Sequence, residues 1–475
     1  MVFTSSIFLF LFLPLFLAVY HLLPPSRRTT WMLLASYAFY GWWRVDFLAL
    51  FIATTLFTYL IGKVLVARSE PPSAGTRALL AIGVTGNIAT LAYFKYFNFG
   101  IDSLNSLLQS LGGGPLGTWQ VILPIGISFY VFQSVSYLID VYRGDASGTM
   151  RFVDMAAYIA LFPQLIAGPI VRFKELGPQL QRPVASFGDF GLGAQRFMVG
   201  FSKKVLVADM VAPLADAAFA LSQPTMAEAA LGAFAFSVQL FFDFSGYSDM
   251  AIGLARMMGL RLLENFAMPY RSRTITEFWQ RWHISLSRWL RDYLYIPLGG
   301  NRRGRRRTYV NLALVMLLGG LWHGAAWTFV VWGAWHGGLL VAERLLGERD
   351  NRLRLPSPLA VTRTFLFVTL GWVTFRAESF VGALAMYGGL AGFNGLALTP
   401  ELGWQIPLSS IAALVAGGLI VWLPPMIQRT AGGTRLSPAT GRAAVPATLT
   451  IVPVFLLGVL RTVSDSFSPF LYFQF

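Results

Sequence analysis

In the stretch Leu321-Trp322-His323-Gly324-Ala325-Ala326-Trp327, one imidazole separates two apolar runs, 309–320 and 328–341. The first run has about 12 residues and spans roughly 18 Å as a helix, well short of a hydrocarbon core of about 30 Å. We therefore expect His323 to lie inside the membrane. An ionisable side chain at that depth is costly and normally faces a bundle interior or a water-filled cavity. The pattern predicts an all-α polytopic membrane protein with a functional histidine.

The composition indicates one membrane bundle. Of the 475 residues, 55% are hydrophobic and 12% charged, and the charged fraction is about half of the soluble norm. A net charge of +15 could indicate a nucleic-acid partner. The basic residues lie between apolar runs, however, which is typical of cytoplasmic loops facing anionic lipid, so we expect membrane lipid and no nucleic acid. The absence of cysteine excludes disulfides, thiolate metal sites and a cysteine acyl-enzyme.

The order of apolar runs predicts the topology. A retained first helix at 7–20 is followed by Arg27 and Arg28, which places the N-terminus outside by the positive-inside rule. Between 120 and 300, Pro and Gly repeatedly cut the apolar runs, so we expect re-entrant or broken helices there. The other expected helices lie at about 31–43, 47–66, 78–94, 102–111 (short and surface-lying), 358–375, 404–423 and 446–461.

About ten or eleven spans follow from this pattern, and the C-terminus is then also outside. We interpret the chain as one integral-membrane domain over 1–475. Its parts are N-terminal spans in 1–95, a core with the motifs in 120–343, and C-terminal spans with an aromatic tail in 344–475. No internal repeat indicates an inverted-repeat transporter.

Four histidines are present, and they differ in context. Gly320 and Gly324 flank His323 closely enough to let a substrate chain or another backbone approach, and a neutral imidazole is a natural general base. The alternative for His323 is a structural role, bonded to a carbonyl in a helix turn. His21 lies at a helix end and is interpreted as structural. His336 follows in the next helix, where it either lines the same cavity or packs against it.

His283 lies within an aromatic and basic stretch, 278–293. The stretch suits a belt at the level of the lipid headgroups. It equally suits a cytoplasmic docking surface for an anionic, nucleotide-like donor, with Arg281, Arg288 and Arg291 holding phosphates. The pattern alone does not decide between these two interpretations.

Two carboxylates, Asp243 and Asp249, enter an apolar environment six positions apart. They are interpreted either as catalytic groups or as structural caps and ion pairs with arginine. We expect no metal site, since His-Glu-x-x-His is absent and the histidines are scattered. Neither a Gly-x-Ser-x-Gly elbow nor a glycine-rich phosphate loop is present. The tail 467–475 is either an interfacial anchor or a docking peptide that presents the Tyr472 hydroxyl.

Six motifs together resemble the membrane-bound O-acyltransferase family, in particular its alginate O-acetylase-like branch and the related teichoic-acid D-alanylation proteins. They are Phe132-Gln133-Ser134-Val135-Ser136-Tyr137, the stretch 162–170, the Asp243 stretch, 279–287, 297–302 and Leu321-Trp322-His323-Gly324. The resemblance covers nearly the whole chain. It implies a ring of about ten or eleven tilted helices around a channel, in which a cytoplasmic donor side and an extracytoplasmic funnel meet near one histidine.

The resemblance also implies roles for residues. His323 matches the family's central histidine, the expected general base, and His283 matches the second polar position, expected to orient the donor. Tyr472 matches a terminal tyrosine that could relay the acyl group. The further candidates for lining the donor site or channel are Arg281, Ser285, Arg288, Asn301, Trp322, His336 and Asp243.

The implied activity is transfer of an acetyl group from cytoplasmic acetyl-coenzyme A across the bacterial inner membrane, for O-acetylation of an exported polysaccharide such as alginate. No bound cofactor is expected, and acetyl-coenzyme A acts as donor substrate. The implied partner is a periplasmic, SGNH-like acetyltransferase. Two alternatives stay open, namely a non-catalytic export transporter or scaffold, and transfer of D-alanyl or another acyl group to a cell-wall polymer.

Overall fold

A computed structural model describes residues 1–67, 73–146, 151–347, 356–422 and 444–464 of the chain. Within these ranges the chain forms α-helices and no β-strand, which confirms the all-α prediction. The helices in chain order are α1 Phe8–Leu22, α2 Pro25–Gly41, α3 Val45–Ala67, α4 Ala74–Ser110, α5 Ile127–Tyr142, α6 Phe152–Ala160, α7 Phe162–Leu165, α8 Phe173–Gln181, α9 Phe187–Lys203, α10 Asp209–Ala220, α11 Met226–Met257, α12 Ile275–Arg281, α13 Ile284–Leu290, α14 Gly304–His323, α15 Trp327–Leu345, α16 Ser357–Arg376, α17 Phe380–Leu390, α18 Pro400–Gln405, α19 Leu408–Trp422 and α20 Ala444–Ser464.

Several helices have the length and composition of membrane spans. Four described helices, α3, α4, α11 and α16, are long and apolar enough to cross a bilayer, and shorter apolar helices accompany them. The chain is therefore a multi-pass membrane protein. The total of ten or eleven spans stays a prediction.

Helix α4 corrects one expectation. The predicted span at 78–94 and the separate surface helix at 102–111 form a single helix of 37 residues. No proline interrupts 95–101, and Gly100 alone is tolerated within a helix at a cost of about 1 kcal/mol. The break comes only at Gly112, whose φ of 80° requires the left-handed region that glycine adopts readily.

The described residues form two compact units, 1–193 with 254–263, and 194–253 with 264–475. In the first unit, every residue from 154 to 171 is buried although the chain is broken between α6, α7 and α8. The amide of Phe162 donates to Ser36 Oγ at 3.1 Å, and Gln164 Nε2 donates to the Tyr158 carbonyl at 2.6 Å. Such side-chain bonds satisfy backbone groups that a broken helix exposes. The predicted broken helices of this stretch are confirmed.

In the second unit, α14 and α15 form a tight antiparallel hairpin. A Cβ added at Gly333 would lie 2.5 Å from the Met316 carbonyl oxygen, so only glycine permits this approach. Small residues are the usual means by which membrane helices pack backbone to backbone. Helix α16 then packs antiparallel to α15, because Phe375 near its end contacts Phe329 near the start of α15, with ring centroids 5.1 Å apart. The ends of α14 and α16 consequently lie at the same end of this helix group.

Candidate active site

His323 is the last residue of α14 and is buried, with 4% of its surface exposed. The helix ends there because Gly324 is extended, with φ −157° and ψ 150°. The imidazole lies edge-on to three aromatic rings. Its centroid is 5.0 Å from Trp322, 5.1 Å from Trp332 and 5.4 Å from Phe375. These are the distances and angles of favourable aromatic contacts.

The flanking glycines of His323 admit another element of the protein. A Cβ at Gly320 would clash with the Phe329 carbonyl oxygen, and a Cβ at Gly324 would clash with the Phe329 ring. Of the two interpretations of these glycines, the approach of another chain segment is the one observed.

His283 lies between α12 and α13 in the left-handed region, with φ 42° and ψ 55°. That conformation costs a non-glycine residue roughly 1–2 kcal/mol, so it persists only where the surroundings hold it. The side chain is fully buried, and neither ring nitrogen has a hydrogen-bond partner among the described residues. His283 is outside the apolar spans, and burial lowers the pKa of its imidazole to about 3. The ring is therefore neutral near pH 7.

The two imidazoles are neighbours although 40 positions separate them in the chain. Their centroids are 6.4 Å apart, and the Trp322 ring contacts both, at 6.0 Å from His283 and 5.0 Å from His323. Phe244 of α11 also contacts the His283 ring edge-on, with the ring centroids 4.7 Å apart. The arrangement brings two imidazoles close together inside an aromatic shell.

Asn265 is hydrogen-bonded to the chain directly after His283, a contact that the sequence interpretation missed. Its side-chain oxygen accepts from the Ser285 amide at 3.2 Å and from the Ser285 hydroxyl at 2.8 Å. Its backbone carbonyl accepts from the Ile284 amide at 3.0 Å. These bonds hold the two residues that follow His283. A lone asparagine in a loop carries no periodic signal, so the sequence pattern gave no indication of this role.

His336 contacts the same shell from the next helix. Trp332 lies in ring contact with both histidines, at 5.1 Å from His323 and 4.9 Å from His336. His336 is fully buried, and its ring also lies 5.2 Å from Trp279. Of the two interpretations, the contacts favour packing against the histidine pair through Trp332.

The remaining donor-side candidates are less closely associated with the pair. Arg281 forms an ion pair with Glu277 at 2.5 Å within α12. Arg288 and Asn301 are exposed. Ser285 is buried against Asn265. Their predicted contacts with a donor stay predictions.

Asp243 and Asp249 both form ion pairs. Lys204 Nζ lies 2.7 Å from Asp243 Oδ1, and both side chains are buried. Asp249 is bound by Arg196 at 2.8 Å and by Lys203 at 2.6 Å. These contacts favour the structural interpretation of the two carboxylates.

Two further predictions concern groups beyond this cluster. Tyr472 and the tail 467–475 lie outside the described residues. Within the described ranges, no group of three or more histidine, aspartate and glutamate side chains could hold a metal ion.

Comparison with known proteins identifies relatives along the whole chain. The model of the membrane-bound O-acyltransferase family matches residues 6–362. A probable alginate O-acetylase of Azotobacter vinelandii is 48% identical over 501 residues, covering 100% of both chains. One from Pseudomonas putida is 50% identical over 488 residues, also covering 100% of both chains. A peptidoglycan O-acetyltransferase of Helicobacter pylori is 37% identical over 433 residues, 84% of this chain and 81% of the relative.

Proposed function

Since the chain belongs to the membrane-bound O-acyltransferase family and is thus a multi-pass membrane O-acyltransferase, we propose that it O-acetylates an exported polysaccharide. The acetyl donor is acetyl-coenzyme A on the cytoplasmic side of the inner membrane. Both termini are extracytoplasmic. The full-length likeness to proteins named as probable alginate O-acetylases supports alginate or a similar polymer as the material that is modified.

One observation carries the mechanism, namely the two buried imidazoles 6.4 Å apart. His323 accepts the proton of the attacking hydroxyl, and the new C–O bond forms as the C–S bond of the thioester breaks. The proton then passes from His323 to the departing thiolate. His283 orients the thioester and polarises its carbonyl.

The hydroxyl that receives the acetyl group belongs to a sugar, to Tyr472 or to a serine of a periplasmic, SGNH-like partner transferase. All three are oxygen nucleophiles that one general base can activate. Labelled acetyl-coenzyme A supplied to membranes without polysaccharide distinguishes them, because the label is then trapped on this chain or on the partner, and on neither when the sugar is the direct acceptor. The basic segment 302–307 at the start of α14 is fully exposed, which supports a cytoplasmic position for that end.

The test is His323→Ala, expressed in polymer-producing cells that lack the native gene. Because general-base catalysis contributes about 10²–10⁴-fold, ester-bound acetate on the polymer should fall by at least about 100-fold. His21→Ala is the matched control, since His21 is an exposed histidine at the end of α1. The His21→Ala variant should leave the amount of ester-bound acetate on the polymer unchanged. Near-normal acetate in His323→Ala, at equal protein in the membrane, would overturn the assignment.

A further inference from the structure

A cavity of about 250 Å³ lies where the ends of α10 and α16 meet the start of α17. We call it the Arg376 cavity, and its polar and aromatic lining includes Asp216, Phe219, Arg376, Glu378 and Ser379. Drug-sized ligands occupy pockets of about 300–1,000 Å³. The cavity therefore has room for one sugar ring or one side chain, and not for a longer stretch of polymer.

The Arg376 cavity contains groups of both charges. Arg376 Nη2 donates to Asp216 Oδ1 at 2.7 Å, and the guanidinium lies over the Phe219 ring, 5.6 Å from its centroid. Glu378 Oε1 lies 3.8 Å from Arg376 Nη1, which is too far for a hydrogen bond. The side chain of Glu378 is 92% exposed and that of Arg376 is 16% exposed. Glu378 thus lies at the open side of the cavity and Arg376 at its closed side.

This mixture of charges determines which ligands fit. An anionic group that approached Arg376 would also meet Asp216 and Glu378, and a cationic group would meet Arg376. Like charges at such short range oppose binding. An uncharged polyol avoids both repulsions, because its hydroxyls donate to carboxylate oxygens and accept from guanidinium N–H groups. Hydrogen bonds to charged groups are also the stronger ones.

The Arg376 cavity begins beside a residue that contacts His323. Phe375 directly precedes Arg376, and its ring centroid is 5.4 Å from that of His323. Consecutive Cα atoms are about 3.8 Å apart, so the cavity and the proposed general base are separated by little more than one residue of α16. In the proposed orientation this end of α16 faces the outside, where an exported polymer lies.

We propose that the Arg376 cavity binds one sugar unit of the acceptor polysaccharide through its hydroxyls, with Asp216 and Glu378 as acceptors and Arg376 as donor. The inference rests on the proposed function, because it takes the end of α16 to be extracytoplasmic. Of the three acceptors that the proposed function allows, it selects the sugar. It also makes a carboxylate on that sugar unnecessary for recognition.

The first experiment identifies the groups of the sugar that are recognised. Purified full-length protein in detergent, without an acetyl donor, is titrated with an unacetylated alginate tetrasaccharide and with the same tetrasaccharide after reduction of its carboxyls to alcohols. Ligand-observed NMR follows binding, since a ligand the size of one sugar binds with a Kd on the order of 1 mM. The uncharged form should bind at least as tightly as the acidic form, because it keeps its hydroxyls and is not repelled by the two carboxylates.

Two variants test the cavity itself. Glu378→Gln keeps the size of the side chain but replaces a charged acceptor with a neutral one, which should raise the Kd about 10-fold. Ala220→Leu adds bulk to the cavity lining and should raise the Kd at least as much. Glu378 and Ala220 are exposed, so neither change should unfold the protein. The matched controls are Glu401→Gln and Ala230→Leu, at exposed positions outside the lining, and both should bind as the wild type does.

Weaker binding in both cavity variants, with both controls unchanged and no loss on carboxyl reduction, supports the inference. Wild-type affinity in either cavity variant overturns it, as does the absence of wild-type binding at about 10 mM, ten times the expected Kd. Binding of the acidic form alone also overturns it, since Arg376 would then recognise a carboxylate. Failure of the proposed function has a different signature, in which the sugar binds but no acetyl reaches it after acetyl-coenzyme A is added.

Discussion

Replacing Asn265 with alanine should disable the site while leaving both histidines in the chain. The substitution removes the acceptor of the Ser285 amide and of the Ser285 hydroxyl, at 3.2 and 2.8 Å. Both residues are 1% exposed, and each buried group that loses its acceptor costs about 1–3 kcal/mol. Folding stability should therefore fall by roughly 2–6 kcal/mol. The backbone bond from Ile284 to the carbonyl of residue 265 remains possible in the variant.

The catalytic effect of Asn265→Ala is separable from its effect on stability. His283 has a left-handed backbone conformation that costs about 1–2 kcal/mol. Without the hydrogen bonds of Asn265, its backbone can relax to a right-handed or extended conformation. A misplacement of about 1 Å lowers rates by about 100-fold. We expect kcat for acetyl transfer to fall by that factor, with a small change in KM for acetyl-coenzyme A. Ser285→Ala removes only the hydroxyl bond, worth about 0.5–1.5 kcal/mol. Its stability and its kcat should lie between those of Asn265→Ala and the wild type.

The assay measures thermal stability in detergent and transfer kinetics in membranes, both normalised to folded protein. Below the melting temperature, a positioning role predicts a loss of kcat per folded molecule. A purely structural role predicts fewer folded molecules with normal kcat. An Asn265→Ala protein that is less stable but has wild-type kcat would refute the reasoning.

Two further changes test the packing that supports the site. Lys204→Met leaves the Asp243 carboxylate buried without its lysine, which should destabilise the protein by about 3–5 kcal/mol. The melting temperature in detergent should therefore fall. An unchanged melting temperature would contradict a structural ion pair. Gly333→Ala forces α14 and α15 apart at Met316, where the added Cβ would lie 2.5 Å from a carbonyl oxygen, and should lower both stability and acetyl transfer. Gly338→Ala on the same helix meets nothing within 4 Å, so it should be neutral or slightly stabilising, and equal losses in the two alanine variants would contradict close helix packing.

The helical class and most helix positions could be predicted from sequence because apolar runs and their interruptions are local signals. The expected span at 358–375 corresponds to α16 at Ser357–Arg376. The prediction of a separate helix at 102–111 is wrong because a change from apolar to polar surface does not by itself end a helix. Only Gly112, with its positive φ, does so. A polarity change predicts where a helix leaves an apolar environment, whereas a backbone requirement predicts where it stops.

The candidate site could be chosen from the sequence by its chemistry, whereas its geometry could not be predicted. A histidine in an apolar run is unusual enough to be noticed alone, which is how the sequence indicates His323. The aromatic and basic stretch 278–293 and the family resemblance indicate His283. Their distance and the hydrogen bonds of Asn265 depend on contacts between segments that are separated in the chain. No period or spacing encodes those contacts. The glycines beside His323 illustrate the limit, because the sequence predicted a close approach without specifying Phe329 as the group that approaches.

The carboxylates of α11 connect the chemistry seen in the sequence with the geometry of the candidate site. Asp243, a candidate on sequence grounds, is bound by Lys204, and the next residue, Phe244, lies 4.7 Å from the His283 ring. A buried ion pair has directional bonds, so it fixes the rotation of α11 more sharply than apolar packing does. Phe244 follows Asp243 directly, so a change in the rotation of α11 would move its ring relative to His283. We therefore expect Asp243 to affect the histidine pair through the position of α11, so Asp243→Asn should lower kcat for acetyl transfer while the pH dependence of kcat stays that of the wild type.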